Sequence, residues 1–143
     1  MTGVQTCALP IYTKLQTENI LTEVADGFRS SIKKAREFGV KDEQIALDIG
    51  IGFSKTFEQN LELLAKLDKL TAEFSEFPML VGTSRKSFLG KILDDAPSDQ
   101  RLHGSLASAA IAVWNGAKIV RVHDVAATVE TLKVIEKIMG KSV

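Results

Sequence analysis

Three short segments constrain this chain more than anything else in it: Leu47-Asp48-Ile49-Gly50-Ile51-Gly52-Phe53, Leu80-Val81-Gly82-Thr83-Ser84-Arg85-Lys86-Ser87 and Arg121-Val122-His123-Asp124. Each reads as a buried strand that runs straight into polar or cationic residues. Asp48, Thr83 and His123 stand about 35 and about 40 residues apart, room for one strand, a loop, a helix and a return. In a (β/α)8 barrel the side chains at the carboxyl ends of the parallel strands, and in the loops after them, enter one shared pocket. An acid, a lysine and an arginine/histidine pair at three such tips therefore suggest a site.

The bulk numbers narrow the classes. A chain of 143 residues that is 45% hydrophobic and 25% charged suits one globular domain with one core, not a disordered or fibrous protein. Eighteen basic residues balance eighteen acidic ones, so no global field draws the chain to nucleic acid or anionic lipid, and any anion must be held locally. The single Cys7 has no internal partner and no metal-ligand Cys/His spacing, which fits a reducing cytoplasm and argues against structural zinc. No apolar run approaches the roughly 20 residues of a membrane span. Residues 1–11 carry neither helical nor strand periodicity and do not resemble a secretory signal; they are expected to be a foreign join, with an irregular native terminus as the alternative, and the native domain is expected over 12–143.

Along the chain, Ile20, Leu21, Val24, Phe28, Ile32 and Ala35 recur at helical intervals and Gly39 follows as a left-handed cap, predicting a helix from Glu18 to about Phe38. A strand is expected over Ile45–Ile49, apolar on both faces except at Asp48. A helix over Phe57–Leu70 would bury Leu61, Leu64 and Leu67, and Pro78 precedes a strand over Met79–Thr83. A short helix over Lys86–Leu93 and an Ala-rich one over Asp99–Asn115, with Leu106, Ala109, Ala110 and Val113 inward, lead to a third strand at Lys118–Val122. Asp124 is expected to cap a last helix buried along Val125, Val129, Leu132, Ile135 and Met139.

Asp48 ends an apolar strand, where a carboxylate is costly without hydrogen-bond donors. It suits a heterocycle with amidine-like N–H groups, or equally a loop-stabilising role accepting from Gly50 or Gly52. Arg85 and Lys86 precede a helix whose positive end disfavours cations, which makes sense if an anion or an electron-rich carbonyl binds nearby; a solvated cationic pair is the plainer alternative. Ser87 and the first-turn N–H groups could receive a carboxylate or phosphate. Arg121 and His123 alternate along a strand and so share a face, two donors suited to a diphosphate. Phe53 and Trp114 could each join the core; Phe53, in the glycine turn, is the better candidate for stacking on a flat ligand. His103 reads as structural or solvent-facing, and Thr56 and Asn60 as capping residues without chemistry.

Together, Asp-Ile-Gly-Ile-Gly-Phe-Ser-Lys-Thr, Leu-Val-Gly-Thr-Ser-Arg-Lys-Ser-Phe-Leu-Gly, Gly-Ser-Leu-Ala-Ser-Ala and Arg-Val-His-Asp-Val, in this order, closely resemble the second half of dihydropteroate synthase, from about Tyr12 to Met139. The resemblance implies a partial TIM (β/α)8 barrel, here three C-terminal parallel strands with flanking helices, from an enzyme of folate biosynthesis. That enzyme joins p-aminobenzoate to a dihydropterin carrying a methyl diphosphate. By motif position, Asp48 and Lys86 would bind the pterin, Arg121 and His123 the diphosphate, and Ser87, Phe53 and Arg85 the p-aminobenzoate. Mg2+ would assist the leaving diphosphate, its ligand lying in an N-terminal half not matched here, and the full-length family implies a cytoplasmic homodimer. Ile49 and Ser54 depart from the usual Pro and Gly of the motif without removing a polar group. A complete barrel needs about 250 residues, so the chain is expected to be a truncated piece, inactive alone, with an open sheet edge at Ile45–Ile49. A pterin-binding methyltransferase domain shares the barrel and an Asp-centred pocket but has no use for a diphosphate pair; a non-catalytic pterin-binding remnant is the other alternative.

Overall fold

A computed structural model describes residues 4–7 and 19–140. Four parallel strands, β1 (Val4–Cys7), β2 (Ile45–Asp48), β3 (Met79–Val81) and β4 (Ile119–Val120), lie side by side in chain order. The crossovers contain helices α1 (Ile20–Glu37), α2 (Phe57–Ala65), α3 (Leu67–Glu73), α4 (Ser87–Ile92) and α5 (Leu102–Trp114), and α6 (Val125–Ile138) follows β4. Sequential parallel order with helical returns is the (β/α) barrel pattern, and the three strands read from sequence are all present.

The fourth strand was not legible in the sequence. β1 pairs with β2 in the register Val4 to Ile45 through Cys7 to Asp48, so the edge expected to be open at Ile45–Ile49 is covered. A four-residue strand needs only a partner's unpaired backbone groups, and its own pattern carries little signal. Of the segment expected to be foreign, residues 1–3 and 8–11 lie outside the described residues.

Local chemistry sets the helix ends. Asn19 accepts the Thr22 N–H at 3.2 Å to cap α1. At its other end Gly39 takes φ +78°, with Val40 N–H reaching Ala35 O and Gly39 N–H reaching Arg36 O, both at 3.0 Å, the paired bonds of a Schellman cap. Thr56 and Gln59 exchange a reciprocal capping pair at the start of α2. The helix expected over Phe57–Leu70 breaks at Lys66, and Asn115 Nδ2 donates to the Leu64 carbonyl exposed by the break. The break also changes the buried set: Leu63, Leu64, Leu67 and Leu70 are buried, whereas Leu61 is exposed.

Ile45, Leu47, Met79 and Val81, alternate residues on one side of the sheet, are buried with Phe28, Leu63, Leu67 and Phe74. Phe28 and Phe74 meet edge to face with centroids 5.3 Å apart. Two inward faces differ from expectation. On α5 the buried residues are Ser105, Ser108, Ala109 and Ala112, because the two serines turn toward the β3 tip. On α6 only Thr128 is buried, and Val125 and Val129 of the expected stripe are exposed. Asp124 precedes α6 but makes no side-chain cap, since its carboxylate is engaged elsewhere. Trp114 is 55% exposed and His103 is exposed. Among the described residues, no helix is long and apolar enough to cross a membrane.

Candidate functional site at the strand tips

Where β2 ends, the chain turns sharply through Gly50 at φ +67° and Gly52 at φ +79°. The buried Asp48 carboxylate accepts the Gly50 N–H at 2.8 Å. Asn60, buried on α2, accepts the Gly52 N–H at 2.7 Å and donates to Thr56 O at 2.7 Å. Lys55 Nζ donates to the carbonyls of Gly50 and Phe53. The turn is thus tied down at both ends, with Asn60 as its central fastener.

Lys86, just past β3, lies against that turn. Its ammonium stands 4.0 Å from the Phe53 ring centroid, a cation–π contact. A Cβ added to Gly52 would meet the Lys86 side chain at 3.0 Å, so Gly52 supplies the room in which Lys86 lies. Gly82 does the same for Arg121: a Cβ there would stand 3.2 Å from the guanidinium. Each cation rests on the bare backbone of the preceding strand's tip.

The β3 and β4 tips are joined by polar contacts. Arg85 donates to both carboxylate oxygens of Asp124, at 2.7 and 3.2 Å. That forked bond raises the Arg85 guanidinium above its ordinary pKa and holds the Asp124 carboxyl below the usual carboxylate range. Ser84 Oγ accepts the His123 backbone N–H at 3.2 Å and lies 3.0 Å from His123 Nδ1.

These residues enclose a cavity of about 490 Å³ walled by Phe53, Gly82, Ser84, Arg85, Lys86, Ser98, Arg121, Val122 and His123. Five of the seven residues singled out from sequence share that wall. Asp48, buried under the glycine turn, and Ser87, exposed in the first turn of α4, are not part of it. Four cation-forming side chains line the wall and no carboxylate does, and Asp124 forms an ion pair with Arg85 beside it. A wall of that chemistry is suited to an anion. Sequence reading gave no site role to Asn60, Ser84, Ser105 and Asp124: the last three bond residues 20 or 39 positions away, which no local pattern carries, whereas Asn60, read as a capping residue, reaches back eight positions to Gly52.

A cationic cavity at the carboxyl ends of sequential parallel strands defines a sector of a ligand-binding (β/α) barrel. A family model described as pterin binding enzyme matches residues 3–123, and the chain belongs to that family. It is 47% identical to the dihydropteroate synthase of Synechocystis sp. over 82% of this chain and 40% of that protein. It is 41% identical to the Escherichia coli dihydropteroate synthase over 94% of this chain and 49% of that protein. The solved dihydropteroate synthase of Coxiella burnetii in complex with pteroic acid superposes with a TM-score of 0.87 at 33% identity, covering 96% of this chain and 52% of that one. The chain spans about half the length of the relatives it matches.

Proposed function

We propose that this chain supplies half of a dihydropteroate synthase barrel, condensing 6-hydroxymethyl-7,8-dihydropterin diphosphate with p-aminobenzoate to give 7,8-dihydropteroate and diphosphate. The observation that carries the reading is the shared cationic wall formed by Lys86, Arg121 and His123. In the reaction the C–O bond between the pterin methylene and the diphosphate breaks, the arylamine nitrogen forms the new C–N bond, and that nitrogen loses a proton. Negative charge grows on the departing diphosphate, so fixed donors aimed at it lower the barrier without a protein nucleophile. Arg121 and His123 hold the diphosphate and Lys86 contacts the pterin carbonyl region; by motif position alone, since it lies outside the cavity wall, Asp48 accepts from the amino-pyrimidine edge. Phe53, already covered on one side by Lys86, lines the p-aminobenzoate slot, and Ser87 receives its carboxylate. The pteroic acid bound by the Coxiella burnetii relative combines the pterin and arylamine portions that this pocket would bring together.

A resident magnesium ion does not fit the residues described. Among them no group of three His, Cys, Asp or Glu side chains converges, and the cavity wall presents cations rather than carboxylates. Any ligand for the metal belongs to the barrel half that this chain does not match, and no step above depends on it. The working enzyme is a cytoplasmic homodimer in this reading.

Calorimetric titration of the 143-residue protein with inorganic diphosphate tests the anion site. Binding that Arg121→Ala and His123→Ala each weaken supports the reading; no binding, or binding indifferent to both changes, removes it. Turnover with dihydropterin diphosphate, p-aminobenzoate and Mg2+ is expected only once the other barrel half is supplied.

A further inference from the structure

Arg85 occupies a conformation that L residues rarely adopt, φ +59°, and several bonds hold it there. Its N–H donates to Ser105 Oγ at 2.9 Å and its carbonyl accepts Arg101 Nη1 at 2.9 Å, both from the α5 side. Arg101 itself packs where Gly90 leaves room; a Cβ there would lie 2.5 Å from the guanidinium. Below, Ser108 Oγ donates to Thr83 Oγ1 at 2.8 Å. The segment Thr83-Ser84-Arg85 is therefore anchored to α5 by three separate bonds. On its other side it is bound to His123 and Asp124, through Ser84 Oγ and the Arg85 guanidinium.

We infer that the Arg85–Asp124 pair is a latch between the β3 and β4 tips, which positions Lys86, Arg121 and His123 and leaves Arg85 itself out of substrate binding. To serve a substrate carboxylate, the Arg85 guanidinium would have to surrender a forked ion pair. The two residues that flank the latch in sequence, Lys86 and His123, are those whose placement it sets. Ser84 completes the device. A hydroxyl has one proton and two lone pairs, so Ser84 Oγ can accept the His123 N–H and still turn its own proton toward Nδ1. In the latch, Ser84 donates to Nδ1 and neutral His123 carries its ring proton on Nε2, as a donor for an anion in the cavity; the ring tautomer is thus part of the inference. Arg85 and Asp124 are positioning residues, and this assignment rests on the anion site proposed above.

Charge alone and the latch make opposite forecasts for Asp124→Asn. Removing a negative charge beside a cationic cavity would tighten diphosphate binding; releasing the latch weakens it, by about tenfold for a coupling of ordinary size. In a double-mutant cycle titrated with inorganic diphosphate, Arg85→Gln combined with Asp124→Asn should bind no more weakly than either single variant. Tighter binding by Asp124→Asn, or additive losses in the double variant, overturns the latch. If the unaltered protein does not bind diphosphate, the site reading fails while the latch remains open to test by nitrogen-15 NMR of the His123 ring. The Nε2–H tautomer should dominate in the unaltered protein and become mixed in both Ser84→Ala and Asp124→Asn; an unchanged ring spectrum in Asp124→Asn also overturns it. Should Asp124→Asn not fold, Arg85→Lys, which keeps the charge and loses the fork, should shift the same ring signals, and unchanged signals count against the latch.

Discussion

The helices before β3 and the β4–α6 end of the chain have unequal shares of the core. α1, α2 and α3 press Val24, Phe28, Ile32, Leu63, Leu67 and Leu70 onto β2 and β3, and all six are buried. α6 buries only Thr128, and its Val125, Val129, Val134 and Ile138 are all exposed, as is Ile119 of β4. Apolar burial supplies most folding free energy, so the first region stabilises itself while the second adds little. The strand tips that form the cavity lie where the two regions meet. There the contacts that fix geometry are polar, Arg85 to Asp124 and Ser84 to His123, because the β4–α6 side has little core to fix it.

The sharpest way to break this contrast is to cut one large residue from each side. Phe28→Ala should cost about 3–5 kcal/mol by urea denaturation, as expected for an enclosed aromatic that leaves a cavity. Ile138→Ala, at a residue 65% exposed, should stay within about 0.5 kcal/mol of the unaltered protein. Equal losses would mean that the two regions share one core. Asn60→Ala should cost about 1–3 kcal/mol, since it leaves the Gly52 N–H without its acceptor in a part-buried turn. Hydrogen exchange at the Gly52 amide should accelerate with it, and an unchanged rate would detach Asn60 from the turn. Gly82→Ala puts a methyl 3.2 Å from the Arg121 guanidinium, which must give by a few tenths of an ångström; diphosphate affinity should fall with little change in stability.

The smallest effect is on pH. Asp42, bonded by Arg36, and Asp124, bonded by Arg85, both have carboxyls held below the usual range, one pair in each region. The unfolded chain therefore takes up these protons first. Each pair's contribution is fully present above the unfolded carboxyl value of about 3.9 and is lost as pH falls through the lowered folded value. Asp42→Asn and Asp124→Asn should each flatten the fall in urea midpoint below about pH 4, and a fall as steep as in the unaltered protein would remove the pair from the ledger. Both pairs are exposed enough for salt to reduce the effect.

Sequence reading reached different depths in the same two regions. In the core side, periodicity placed α1 to within two residues at each end and named five of its six buried residues, missing Ala25 and adding the partly buried Leu21, because a helix covering a sheet keeps one apolar face. It ran through Lys66 without a pause, because the break between α2 and α3 is completed by Asn115, far along the chain. In α5 the Ala-rich composition hid which face turns inward, since Ser105 and Ser108 are buried for their hydrogen bonds and not for apolarity. For α6 the heptad-like stripe pointed to a core that the described residues do not provide. At the site, Lys86, Arg121, His123 and Phe53 were legible because charge and aromaticity interrupt strand patterns. Ser84 and the Arg85 pairing of Asp124 were not, because those partners lie 39 residues away and are fixed only by the fold.

Gly52 and Gly82 give the cationic tips an overlap like roof tiles, with Lys86 laid across the tip before it and Arg121 across the next. The aim of each charge is thus set by a residue with no chemistry of its own, one course away. Sequence drift at such a bare position would redirect a charge while leaving every charged residue in place, so exchanging one α-hydrogen for a side chain there would silence the site more quietly than loss of a cation.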